Sequence, residues 1–320
     1  MDIKKIKKVE LHVHLDGSLN INTISDILKI EKDEIKNKLI ADKKCRDLND
    51  YLQVFDLPIK VMQTKESLIR TSKDLIESFI NDNVIYAEVR FAPNKHTTIL
   101  TLDEVITSVL EGIKSLKVKV KLILCMMRGD DFSDNKKIID LAYKYKDDGV
   151  VGIDLAGAEG LYKTSDYLPL FKYASSLNIP FTIHAGEADG IESINAAISA
   201  GATRIGHGVR AIESKECINK LKEKNILLEI CPTSNIQTGI APSMELHPIK
   251  KLYDSGVKVS INTDNRTVSN VTLNEEYEIL VKAFDFTEED FNKMNAEAIK
   301  HSFLSDRDKQ ELINILKEAN

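Results

Sequence analysis

Eight short runs of apolar and β-branched residues recur along the chain, and longer stretches with helical apolar spacing lie between them. The runs are Lys8–Val13, Val84–Phe91, Lys117–Met126, Val150–Leu155, Ile179–Ile183, Arg204–Gly206, Ile226–Ile230 and Val257–Ile261. Helical spacing covers Asp103–Leu116, Asn135–Lys146, Ser165–Leu177, Ile191–Gly201 and Lys215–Lys224. Strands that alternate with helices pair in parallel, and eight is the number that closes a barrel. The pattern therefore predicts an α/β fold, a (β/α)₈ TIM barrel. An open doubly wound sheet is the alternative, but no G-x-G-x-x-G follows the first run. The 320 residues suit one barrel of roughly 250 residues with additions, so 1–320 is read as a single domain.

Two additions are expected. Residues 19–81 are more than one crossover helix needs and read as several helices, Thr64–Ile80 among them. They leave the C-terminal end of the first strand, which places them as a helical insertion over the barrel mouth. The tail Thr287–Glu318 reads as terminal helices.

A net charge of −6 argues against a nucleic-acid partner, whose phosphates call for clustered Lys and Arg. Lys4, Lys5, Lys7 and Lys8 form the one basic cluster and read as a solvated flank. Cys45, Cys125, Cys217 and Cys231 make no CxxC pair, so neither a disulfide framework nor a thiolate zinc site is expected. No apolar run approaches membrane-spanning length and no signal core follows the basic start. The expectation is a cytoplasmic protein with no membrane partner.

His12 and His14 sit two apart on the first strand, so their rings share a face. His184 follows the fifth run, His207 ends the sixth, and Asp264 ends the eighth. In a barrel these C-terminal ends converge on the face that carries active sites. Three imidazoles and one carboxylate, His12, His14, His184 and Asp264, suit zinc and leave room for a water. Bound zinc lowers the pKa of its water from about 15.7 to roughly 7. Glu187, three residues past His184, is the candidate proton donor to a substrate ring nitrogen. His207 is placed to hydrogen-bond the attacking hydroxide, and Asp264 to accept the proton of water. His96, His247 and His301 read as ordinary surface or packing residues.

With these residues in view, the sequence resembles the adenosine deaminase family. The matching motifs are ELHVHLDGSL from Glu10, HAGE from His184, GHGV from Gly206 and SINTD from Ser260. YAEVRFAP from Tyr86 is similar to the family's second strand. The resemblance implies one zinc ion per chain and a zinc-activated hydroxide that attacks purine C6. Adenosine, and 2′-deoxyadenosine with it, would become inosine and ammonia, a hydrolase reaction of purine metabolism. It implies that Glu187 protonates N1 and that His207 positions the hydroxide. His14 and Asp16 would lie near the ribose 5′-hydroxyl, and the Gly157 backbone N–H would contact N3. Asn265 stands where many relatives have a second aspartate; its amide would donate to N7 without needing a proton. The implied partner is a small purine nucleoside. Two rivals are weighed: an adenine or other 6-aminopurine deaminase on the same barrel, and a non-catalytic nucleoside- or metal-binding barrel. Adenine-acting relatives tend to carry Glu where Asp16 stands. Arg128 and Arg266 are the cations to watch for a nucleotide substrate.

Overall fold

The computed structural model describes residues 1–41, 45, 47–115 and 117–318. Leu116, at the end of one expected helix, and residues 42–44 and 46 of the 19–81 segment lie outside them. Eight parallel strands are present: β1 Lys8–His14, β2 Val84–Phe91, β3 Lys119–Met127, β4 Val150–Ala156, β5 Thr182–Ala185, β6 Arg204–His207, β7 Leu227–Ile230 and β8 Lys258–Ile261. They pair in two parallel sets, β1-β2-β3-β4 and β5-β6-β7-β8. Two bridges close the circle. Ile153 pairs with Phe181 and donates to the Pro180 carbonyl at 3.1 Å; Val13 pairs with Asp264. The fold is a (β/α)₈ barrel.

Strand β5 lies further along the chain than its apolar run predicts. Pro180 has no N–H to give a ladder, and regular pairing begins after it, at Thr182. His184 is consequently inside β5 rather than directly after it.

The closing bridge also fixes a candidate site residue. Asp264 lies just past β8 with a left-handed φ of 61°. Its N–H donates to the His12 carbonyl at 3.0 Å, and its carbonyl accepts the His14 N–H at 2.6 Å. The backbone of Asp264 is thereby tied between the two histidines of β1.

Among the described residues the interval between β1 and β2 holds the α-helices Ile21–Leu28, Lys32–Leu39, Leu48–Leu52, Asp56–Val61 and Lys65–Asn81. Side chains of Asn20 and Thr64 cap the first and last of them. The tail forms Glu288–His301 and Asp306–Lys317, which pack together; the first of them also lies against β1 and β8. Lys8 corrects one reading. It is fully buried rather than part of a solvated flank, and its Nζ donates to the carbonyls of Ile3, Ile6 and Asp82 at 2.7, 2.9 and 3.1 Å. No helix among the described residues is long and apolar enough to cross a membrane.

Candidate active site

His12, His14, His184 and Asp264 come from three separate parts of the barrel rim, and their ligand atoms all lie within 4.8 Å of one another. His14 Nε2 and His184 Nε2 are 3.2 Å apart. Asp264 Oδ1 lies 3.4 Å from His12 Nε2 and 3.5 Å from His14 Nε2. Its other oxygen, Oδ2, accepts the Ser234 hydroxyl at 2.6 Å, which turns Oδ1 toward the histidines.

The donor set fits a metal ion. His12 Nε2 is buried with no hydrogen-bond partner among the described residues, a costly state that a cation would relieve. Burial and Arg90 depress the His12 pKa, but the nearby carboxylates of Asp264 and Glu229 outweigh them and raise it. A proton is thus drawn to the place where a divalent ion would sit, and metal and proton compete there. Burial holds His14 at a pKa of about 3, leaving its ring neutral as ligation requires. Burial pushes Asp264 upward, yet the neighbouring imidazoles hold it far below the usual carboxylate range. A second grouping, His12, His207, Cys231 and Asp264, shares the same space. Cys231 is wholly buried, burial raises its thiol well above the usual range, and it does not line the pocket. The set with His14 and His184, which do line it, is the one open to substrate.

Two of the three candidate ligand imidazoles, His12 and His184, are backed by a carboxylate. His12 Nδ1 is hydrogen-bonded to Glu229 Oε2 at 3.0 Å, and His184 Nδ1 lies 2.9 Å from Asp154 Oδ2. Arg90 joins the two carboxylates, with Nη2 2.8 Å from Glu229 and Nη1 2.8 Å from Asp154. Arg204 pairs with Glu229 and Glu88. These charges are fully buried, so each depends on its partners. Arg90 and His184 keep Asp154 ionised against its burial, and the two arginines do the same for Glu229.

Glu187 lines the same pocket, with His207 Nε2 3.6 Å from its Oε2. Burial, then the charges of Asp264 and Glu159, raise the Glu187 pKa well above the carboxylate range. That shift favours the protonated form, the one a proton donor requires. His207 ends β6 at a φ of 60°, and burial holds its pKa well below that of free imidazole.

Asp16, Gly157 and Asn265 also line the pocket. Gly157 has a φ of +99°, which disfavours any side chain there. Gly17 is required for another reason: a Cβ would stand 1.8 Å from Asn265 Oδ1. Asn265 Nδ2 donates to the Tyr51 hydroxyl at 3.0 Å, and that hydroxyl pairs with Ser269 Oγ at 2.8 Å. Leu48, Tyr51, Leu52, Phe55 and Ile59, all from the 19–81 segment, give the pocket an apolar wall.

Arg128 and Arg266 do not line it. Arg266 is buried between Glu10 and Asp82, and Arg128 donates to the Tyr162 and His184 carbonyls and to Thr164. The three remaining histidines are buried rather than superficial. His96 stacks on Phe91 near Asp16, His301 bonds the Glu297 and Asn225 carbonyls, and His247 bonds Asn235, which bonds His207. Residues that the sequence reading did not single out include Arg90, Asp154, Glu229, Glu159, Tyr51, Ser234 and Asn235.

The adenosine deaminase family profile matches residues 7–319. The adenosine deaminase of Enterococcus faecalis is 39% identical over 324 residues, covering 98% of this chain and 96% of its own. That of Clostridium botulinum (strain Okra) is 42% identical over a 332-residue alignment, covering 99% of each. Among solved structures, the N6-methyl-AMP deaminase of Arabidopsis thaliana superposes with a TM-score of 0.89 at 28% identity, covering 99% of this chain and 98% of its own. By sequence over residues 7–319 and by fold, this chain belongs to the adenosine deaminase family.

Proposed function

We propose that residues 1–320 form one deaminase domain that hydrolyses adenosine and 2′-deoxyadenosine to inosine and ammonia. One zinc ion would be held by His12, His14, His184 and Asp264. The observation that carries this reading is a pocket in which the buried Glu187 carboxyl, its pKa raised by burial, lies beside a three-histidine, one-carboxylate cluster. The curated relatives at about 40% identity bear the name of that reaction.

Zinc, when bound, supplies the acidity that makes water nucleophilic near neutral pH. The chain's own residues do the rest. Glu187 gives its proton to N1 as the oxygen of water adds to C6, so the π pair of the C6–N1 bond becomes the N1–H bond. Asp264, ionised, takes the proton that water loses and passes it to the amino nitrogen. The C6–N6 bond breaks, ammonia leaves, and the second proton of water returns to Glu187 as the C6 carbonyl forms. His207 steadies the incoming oxygen.

Substrate placement is taken from the family resemblance, and the lining of the pocket is compatible with it. Asp16 and His14 take the ribose 5′-hydroxyl, and the Gly157 N–H takes N3. Asn265 spends one N–H on Tyr51 and keeps the other for N7. Residues 19–81 cover the bound nucleoside with their apolar wall. Lys95 is the one Lys or Arg lining this pocket among the described residues, and both oxygens of Asp130 hold it, at 2.8 and 3.0 Å. That favours a nucleoside over a nucleotide.

The test is a parallel assay of adenosine, 2′-deoxyadenosine, adenine and AMP. Adenosine should exceed adenine and AMP in kcat/KM by at least ~10²-fold, because a site built to bond a hydroxyl rejects ligands without it. Activity on adenine or AMP alone would overturn the assignment of Asp16. Silence on all four would overturn the deaminase reading.

A further inference from the structure

Behind His207 three buried hydrogen bonds run in line away from the pocket. The Ile249 backbone N–H donates to His247 Nδ1 at 3.1 Å. His247 Nε2 is 3.1 Å from Asn235 Oδ1, and Asn235 Nδ2 is 3.0 Å from His207 Nδ1. Asn235, His247 and His207 are all buried. Local structure holds the ends firmly. Asn235 sits in the helix Pro232–Gln237, where its N–H donates to the Cys231 carbonyl and its own carbonyl accepts from Ile240 and Ala241. Ile249 opens the helix Ile249–Asp254, so its N–H has no partner within that helix and the His247 ring satisfies it.

The direction of every bond follows from one fixed donor. A backbone N–H can only donate, so His247 Nδ1 must be bare. A neutral ring with a bare Nδ1 carries its proton on Nε2, and that proton points at Asn235. The Asn235 carboxamide must therefore present oxygen to His247 and nitrogen to His207. The flipped amide would leave His247 with two bare nitrogens, an anionic ring that has no place in a buried, uncharged setting. Burial keeps His247 neutral, with a pKa of about 4. Since Asn235 Nδ2 can only donate, His207 Nδ1 is bare as well, and its proton lies on Nε2, the nitrogen facing Glu187.

We propose that Asn235 and His247 are positioning residues that lock His207 in the Nε2–H tautomer, making it a hydrogen-bond donor to the oxygen that adds to C6. The role assigned to that oxygen rests on the deaminase reading above. A ring locked this way cannot take a proton at Nε2, so the proton lost by water goes to Asp264.

The test uses zinc-loaded, full-length protein labelled with [15N]histidine and two-bond 1H–15N correlation spectra. The His207 signals are identified by their loss in His207→Ala. The wild type should show a bare Nδ1 and a protonated Nε2 at His207. Asn235→Asp replaces the donor by an acceptor and should move the proton to Nδ1. It should lower kcat on the order of 10²-fold, with KM changed less than about threefold. His247→Phe removes the donor that orients Asn235, mixes the two tautomers and costs roughly tenfold in kcat. His247→Gln, whose amide retains an N–H for Asn235, restores most of that loss. A wild-type His207 protonated at Nδ1 overturns the proposal, and this measurement needs no variant to fold. So does an Asn235→Asp protein that keeps both tautomer and kcat. A bare Nδ1 in a protein that leaves adenosine untouched upholds the lock and removes the deaminase reading instead.

Discussion

The carboxylate of Glu159 accepts the backbone N–H of Glu187 at 2.9 Å. The same oxygen accepts from Ala188 and Asp189, at 2.7 and 3.0 Å, while the other takes Gly186 N–H at 2.7 Å and the Ser193 hydroxyl at 2.5 Å. Four successive amides after β5 thus wrap one buried anion supplied by the loop after β4. The loop that carries Glu187, the proposed proton donor, has its shape from Glu159. Glu159→Gln puts a donor where acceptors are needed, and kcat should fall about 10- to 100-fold as Glu187 loses its place. Zinc content should not change, since no proposed ligand touches Glu159. Equal loss of zinc and activity would show that the loop is not the cause.

Glu187→Gln keeps the shape and removes the proton. It should lower kcat by ~10²–10⁴-fold with little change in KM. Because burial and nearby anions raise the Glu187 pKa, the wild type stays active above the ordinary carboxylate range and loses activity as pH climbs through the raised value. That alkaline limb should be absent from the residual activity of the variant. A pH–rate profile of both proteins checks it, and near-normal turnover by Glu187→Gln would remove the proton-donor assignment.

The clustering of the proposed metal set was legible because its members obey local rules. His12 and His14 share a face by strand alternation, and His184, His207 and Asp264 fall at strand ends that a barrel must gather. The support behind them was not. His12 and Glu229 are 217 residues apart, and Arg90 and Glu229 are 139 apart, so only closure of the barrel reveals them as partners. A signal did exist. Glu88 and Arg90 interrupt VIYAEVRF, Asp154 interrupts VVGIDLA, and Glu229 interrupts LLEI. Charges inside otherwise apolar parallel strands face the barrel interior and require partners there. His247 gave no such signal, because its meaning depends on the orientation of an amide twelve residues away.

Asp154→Asn should weaken zinc binding. The carboxylate beside His184 Nδ1 becomes a neutral amide, which lowers the basicity of the ligand and frees its ring. Affinity should drop 10- to 100-fold, by analogy with outer partners of other metal-bound histidines. Competition with a zinc-sensitive dye measures it; unchanged affinity would show that His184 needs no support from Asp154.

Glu276 gives a prediction about stability. Its Oε1 accepts the Thr233 N–H at 3.0 Å, while Oε2 is buried with no partner among the described residues. Burial raises its pKa to about 8. The unfolded chain binds fewer protons than the folded one between the ordinary carboxylate range and about 8. This group's contribution is therefore complete at acid pH and lost as pH rises through the folded value. Glu276→Gln can keep the bond to Thr233 and has no proton to lose. At pH about 8.5 it should exceed the wild type by at least about 1 kcal/mol in unfolding free energy, and by less at pH about 6. Denaturant titrations at the two pH values check the sign; parallel curves for the two proteins would contradict it.

Zinc dependence of adenosine turnover tests the central claim most directly. Protein stripped with chelator is given adenosine and titrated with zinc while inosine and ammonia are followed. Activity should rise linearly and break at one equivalent per chain, and His184→Ala should show neither the break nor the activity. Full turnover by the stripped protein, or a complete equivalent of zinc retained by His184→Ala, would contradict the account.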